Sequence, residues 1–95
     1  MKFEQRLADL GITLPEPASP VATYVRYVQT GNLLYISGTG PDKSHPTGKV
    51  GADLSVEQGV AAARSVGIGL IATMKQALGD LDRVVRVVKL SLIHI

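Results

Sequence analysis

Apolar residues recur along this chain with different spacings, and each spacing predicts an element. Phe3, Leu7 and Leu10 fall at i, i+4 and i+7. One side of residues 2–10 is therefore apolar, which predicts a short amphipathic helix stopped by Gly11. The stretch from Ile12 to Pro20 follows, with prolines at 15, 17 and 20. Proline fixes φ and lacks an amide hydrogen, so this arm reads as extended. Residues 22–30 and 33–37 are rich in Val, Tyr, Thr, Leu and Ile, and Gly31-Asn32 between them reads as the two-residue turn of a β-hairpin. Residues 38–54 hold four Gly and two Pro. A loop that long in a compact domain predicts a short strand near Lys49–Val50 or a site.

Ser55 and Gln58, three apart, match a capping box in which each side chain bonds the other residue's amide. Val60, Ala63, Gly67, Leu70, Ile71, Met74 and Leu78 then repeat at helical spacing, and Gly79 supplies a stop. This predicts a long helix over 56–78. Its Gly59, Gly67 and Gly69 each cost up to ~1 kcal/mol relative to Ala, which is understandable if the helix lies close against a sheet. Asp80-Leu81-Asp82 reads as a solvated turn, and Val84–Leu90 as a buried strand. The order is helix, strand, strand, loop, long helix, strand. The fold class is α+β, with a βαβ crossover joining the second strand to the last. Three or four strands under one helix make a thin core, so the architecture looks unfinished.

Composition narrows the function classes. With 95 residues the chain fits one small domain. The longest candidate span, Val66 to Met74, contains two Gly and a Thr, far short of the roughly 18 apolar residues a membrane needs. Glu4, Arg6 and Asp9 interrupt the N-terminus where a signal peptide would be apolar. The chain has no Cys, which excludes disulfides, thiolate catalysis and Cys-ligated zinc and fits a cytoplasmic protein. The isoelectric point near 9.2 reflects a net charge of only +2, with no two basic residues adjacent and four aromatics in all. That is not the clustered, aromatic-interleaved surface of a nucleic-acid binder. Neither nucleic acid nor membrane is an expected partner.

Several local motifs fail on their chemistry. Gly38-Thr39-Gly40 lacks the third glycine of a dinucleotide loop, and Pro41 follows where a helix should begin. Gly48-Lys49 precedes Val50 rather than the Ser or Thr of a phosphate loop. His45 and His94 are far apart, so no metal centre is expected. Arg64 and Lys75 occupy polar positions of the long helix. No cofactor is implied.

Tyr24, the Gly31-Asn32 turn and Leu33-Leu34-Tyr35-Ile36-Ser37-Gly38 resemble the N-terminal signature of the Rid proteins, the reactive intermediate deaminases or YjgF-like family. Gly48–Ser55, Ala61–Arg64 and Ala77–Val84 resemble it in the same order, so the resemblance covers residues 6–89. Residues 6–17 and the Ser37–Pro41 variant look closest to a divergent subgroup. The resemblance implies a chorismate-mutase-like α+β unit, a mixed sheet with one long helix packed on it here. It also implies a homotrimer whose clefts bind small carboxylates, with cofactor-free hydrolysis of 2-imino acids to 2-oxo acids. Residues 1–89 would be the N-terminal part of one such domain, lacking a second helix and the last strands. The family's carboxylate-binding Arg and its acidic residue fall in that missing part, so no catalytic residue can be assigned.

Three matching positions remain as substrate-binding candidates. Tyr24 would offer its hydroxyl, Ser37 would end the second strand, and Gly38 would let its backbone approach the ligand. The structural alternatives are a strand aromatic packing across the hairpin for Tyr24 and a strand-end turn for Ser37 and Gly38. Arg26, two residues from Tyr24, shares its strand face but belongs to the wrong strand for the family's Arg. Residues 90–95, Leu-Ser-Leu-Ile-His-Ile, read like the translation of a sequencing adapter; the alternative is an ordinary strand ending. Three functions stay open: an imine deaminase, a non-catalytic carboxylate-binding trimer and, less favoured by the charge, an endoribonuclease.

Overall fold

A computed structural model describes residues 2–16, 25–41 and 44–91. Helix α1 spans Lys2–Asp9, strands β1 and β2 span Tyr27–Thr30 and Leu33–Ile36, and helix α2 spans Val56–Leu78. A short 3-10 turn, Leu81–Arg83, follows α2. The class is α+β.

α2 begins where its sequence says it should. Ser55 Oγ accepts the Gln58 amide at 3.1 Å, and Gln58 Oε1 accepts the Ser55 amide at 2.8 Å, so two amides that the helix cannot satisfy are bonded reciprocally. Gly79 ends it at φ +79°, donating to the Lys75 carbonyl at 2.8 Å. Arg83 Nη1 donates to the Leu78 carbonyl at 3.0 Å, placing a cation on the negative end of the helix.

β1 and β2 pair antiparallel with Tyr27 opposite Ile36, Val28 opposite Tyr35, Gln29 opposite Leu34 and Thr30 opposite Leu33. Gly31 takes φ +58°, and no non-glycine described residue has a positive φ. The left-handed step of the turn therefore falls on Gly31 and not on Asn32. Tyr27, Leu34 and Ile36 on one face are half-buried, whereas Val28, Leu33 and Tyr35 on the other are exposed.

Three expectations are corrected. The sheet has two strands among the described residues, where a mixed sheet of three or four was expected. Val84–Leu90 is not a strand: Val84 is extended, but neither β1 nor β2 pairs with this segment, and Val85, Val87, Val88 and Leu90 are exposed. Residues of strand-forming type still need a partner to make a ladder. The strand near Lys49–Val50 is instead a tight loop. The Lys49 carbonyl accepts the amides of Ala52, Asp53 and Leu54, and Val50 and Leu54 form an isolated bridge. Of the first strand's expected range, 22–24 lie outside the described residues, and Val25 and Arg26 precede β1.

Two of the three helical glycines do meet close neighbours, though not strands. A Cβ on Gly59 would stand 2.8 Å from Val50 Cγ2, and one on Gly69 would touch Thr39 Cγ2 at 3.7 Å. Both neighbours belong to described parts of the 38–54 segment, which meet α2 at these two points. Gly67 faces open space. Fully buried positions among the described residues are Ala72 and Thr73 of α2 and Leu81 of the 3-10 turn. Thr73 satisfies its hydroxyl by donating to the Gly69 carbonyl at 3.1 Å.

Candidate functional site

The hairpin delivers Ser37 and Gly38 to the point where the chain leaves β2. The Ser37 amide donates to the Arg26 carbonyl at 2.8 Å, and its hydroxyl donates to the Val25 carbonyl. Ser37 thus extends the ladder by one residue, its hydroxyl hydrogen committed across the strands, leaving its oxygen lone pairs available as acceptors. The structure gives Ser37 the strand-end role. Gly38 is exposed, has no left-handed φ, and a Cβ there would meet nothing within 4 Å. Nothing within the described chain demands glycine at 38; its backbone borders open space.

Thr39 anchors the exit. Its hydroxyl donates to the Ser37 carbonyl at 3.1 Å, and its methyl lies over Gly69 of α2. Arg26 is half-buried just before β1, and His45 is half-buried in the following loop. Tyr24 and His94 lie outside the described residues.

A second constellation carried no local signal in the sequence. The amides of Lys2 and Phe3, which open α1, donate to the Asp82 carboxylate at 2.8 and 2.9 Å. Glu4 Oε1 accepts the Leu81 amide at 3.2 Å, and Asp80 Oδ1 accepts the Asp82 amide at 2.9 Å. Glu4, Asp80 and Asp82 each bring one oxygen within 4.8 Å of the others. These carboxylates serve as caps: Asp82 closes α1 and Asp80 closes the 3-10 turn. Asp82 is not merely a solvated turn residue.

The Phe3 and Lys2 amides hold the Asp82 carboxyl below the usual aspartate value; its slight desolvation opposes them. A depressed carboxyl contributes stability above its unfolded-state value and loses it as pH falls through the folded value. The Lys2 and Phe3 amide resonances are therefore expected to move with the Asp82 carboxyl, below the pH of an unperturbed aspartate. Glu4 and Asp80 are the neighbouring acids. Asp82→Ala should fray α1 at neutral pH, seen as lost amide protection over 2–9 with α2 protected as before.

Comparison with known proteins adds what the geometry leaves open. The family described as "YjgF/chorismate mutase-like, putative endoribonuclease" matches residues 4–94. The chain belongs to this family. The match to the YjgF family runs through the hairpin, α2 and the segment after it, and on past residue 90. Protein TCP17 of Trypanosoma cruzi is 48% identical over 88 residues, covering 90% of this chain and 55% of that protein. A crystal structure of a putative endoribonuclease from Shewanella oneidensis superposes with a TM-score of 0.77 at 38% identity. It covers 84% of this chain and 55% of that one. A protein of unknown function from Agrobacterium tumefaciens gives a TM-score of 0.66 at 41% identity, over 82% and 48% of the two chains. The chain thus spans about half the length of these relatives. Its fold is that of the YjgF family, and no helix among the described residues is long and apolar enough to cross a membrane.

Proposed function

We propose that the protein hydrolyses 2-imino acids: water adds to the C=N carbon, the C–N bond breaks, and a 2-oxo acid and ammonia leave. The YjgF-family match over residues 4–94 carries this reading, together with the deaminase-like Ser37-Gly38 exit bordered by open space. A bound carboxylate in a partly dry cleft needs a fixed cation, because burying it unpaired costs several kcal/mol. By the family resemblance, that cation is an Arg outside the part matched by this chain. Backbone groups and an ordered water would then deliver hydroxide, with orientation supplying much of the rate.

The test compares this chain with a form extended to the length of its relatives, following 2-oxobutyrate release from 2-iminobutyrate at equal concentrations. The extended form should accelerate hydrolysis, and the 95-residue chain should match buffer. Activity in the short chain would make the late Arg dispensable. An extended form that binds 2-oxobutyrate without turnover would favour the carboxylate-binding reading. RNA cleavage is suggested by the family's description and by the Shewanella relative, itself called a putative endoribonuclease; the even charge distribution speaks against it. The exposed apolar hairpin face of Val28, Leu33 and Tyr35 supports a homotrimer for the extended form, which light scattering would report as a trimeric mass.

A further inference from the structure

Residues 84–90 leave the 3-10 turn as a segment with a fixed start and an unpaired backbone. Val84 is extended and donates its amide to the carbonyl of buried Leu81 at 3.0 Å. Arg83, just before it, bonds the end of α2. From Val85 to Leu90 the backbone makes no hydrogen bond among the described residues, and every side chain is exposed. β-branched residues with unpaired amides and carbonyls are a template for another strand. The chain also carries surplus surface. It exposes 7599 Å², whereas a folded monomer of 10.0 kDa exposes about 5,200 Å². The difference, roughly 2,400 Å², exceeds the area of about 800 Å² that each partner gives to a stable interface.

We propose that residues 84–90 pair with the same residues of a second copy of this chain, in an antiparallel ladder about a two-fold axis at Val87. The two cations of the segment, Arg86 and Lys89, select the register. A parallel in-register ladder sets Arg86 against Arg86 and Lys89 against Lys89, and like charges directly opposite destabilise a sheet. An antiparallel axis at Arg86 repeats the first of these contacts. An axis midway between Val87 and Val88 sets Arg86 against Lys89. With the axis at Val87, Val84 faces Leu90, Val85 faces Lys89 and Arg86 faces Val88 of the other copy. Each cation then lies opposite an aliphatic side chain that its own stem can cover. The segment is thus complementary to itself, which makes the contact isologous and the product a dimer. It lies apart in sequence from the hairpin face of Val28, Leu33 and Tyr35.

Sedimentation equilibrium of the 95-residue chain should show a mass rising reversibly from one chain at low-micromolar concentration to two near millimolar. Val87→Lys places like charges on the axis and should weaken the dimer about tenfold. Val60→Lys is the control: Val60 on α2 is 63% exposed and Val87 is 64% exposed, so general stickiness would be cut equally by both. The control should dimerise as the parent does. The chain has no Cys, so Val87→Cys offers one thiol per copy, facing its own equivalent. Mild oxidation should join two copies through it, while Val85→Cys, opposite Lys89, should stay unlinked. A mass of one chain at every concentration would overturn the proposal, as would a trimer or larger assembly. So would a Val87→Lys protein that dimerises like the parent, a Val60→Lys protein weakened as much, or equal cross-linking at 85 and 87.

Discussion

Leu81→Ala is expected to abolish cooperative folding of this chain. Leu81 is 3% exposed and, with Ala72 and Thr73, makes up the fully buried set among the described residues. It joins α1 to α2, because the 3-10 turn packs against both helices. A buried Leu→Ala change costs roughly 2–5 kcal/mol, with the larger values where the cavity cannot collapse. Small domains have ~5 kcal/mol or little more in total. The pinned spacing of α1 opposes collapse, which favours the upper part of that range. The Leu81 amide bond to Glu4 is a backbone bond and survives the substitution, so packing is what the experiment isolates. Urea unfolding followed by circular dichroism should show a broad, early transition for Leu81→Ala. Val85→Ala, at a side chain 92% exposed, should stay within about 0.5 kcal/mol of the parent. Equal curves for the two variants would mean that α1 and α2 are not joined through Leu81.

What could be read from the sequence is what local chemistry decides. The Ser55–Gln58 capping box and the Gly79 stop are satisfied within four residues of themselves, and they fix α2 at Val56–Leu78. The hairpin is equally local, since Gly31 sets both turn and register. Pattern reading fails where partners are distant. Val84–Leu90 has strand composition, but a ladder is a property of two segments, and among the described residues the second is missing. Asp82 shows the converse: two aspartates flanking a leucine look like a solvated turn, yet one caps a helix that begins 80 residues earlier. The glycines of α2 lie between these cases. Their cost signalled a close neighbour, and for Gly59 and Gly69 one exists, but it is the long loop rather than a strand.

The hairpin exit that carries Ser37 and Gly38 was legible to the same extent, as a strand end. Ser37 is found where the hairpin pattern put it, and its bonds to Val25 and Arg26 explain why a hydroxyl residue suits a strand exit even without a ligand. Gly38 is the more informative position, because no neighbour in the described chain requires a glycine there. The junction of α1 with the 3-10 turn could not be anticipated, because it depends on Asp82 and Glu4 bonds between residues nearly 80 apart in the sequence.

Gly31→Val is expected to open the hairpin and with it the Ser37 exit. Gly31 has φ +58°, and a Cβ there would meet nothing within 4 Å. Steric clash with neighbours is therefore absent, and the penalty is conformational: a β-branched residue forced into the left-handed region costs roughly 1–3 kcal/mol. A two-stranded hairpin is marginal by itself, so a loss of that size is enough to separate β1 from β2. The Ser37 amide and hydroxyl would then lose their Arg26 and Val25 acceptors together. Gly31→Asn is the control, because asparagine tolerates the left-handed conformation. Thermal melting and amide exchange at Ser37 should report the difference, with Ser37 protection lost in the valine variant and largely kept in the asparagine variant. Equal losses in both would place the cost in the side chain rather than in φ. An unchanged melt for the valine variant would mean that the turn does not set the pairing on which the position of Ser37 depends.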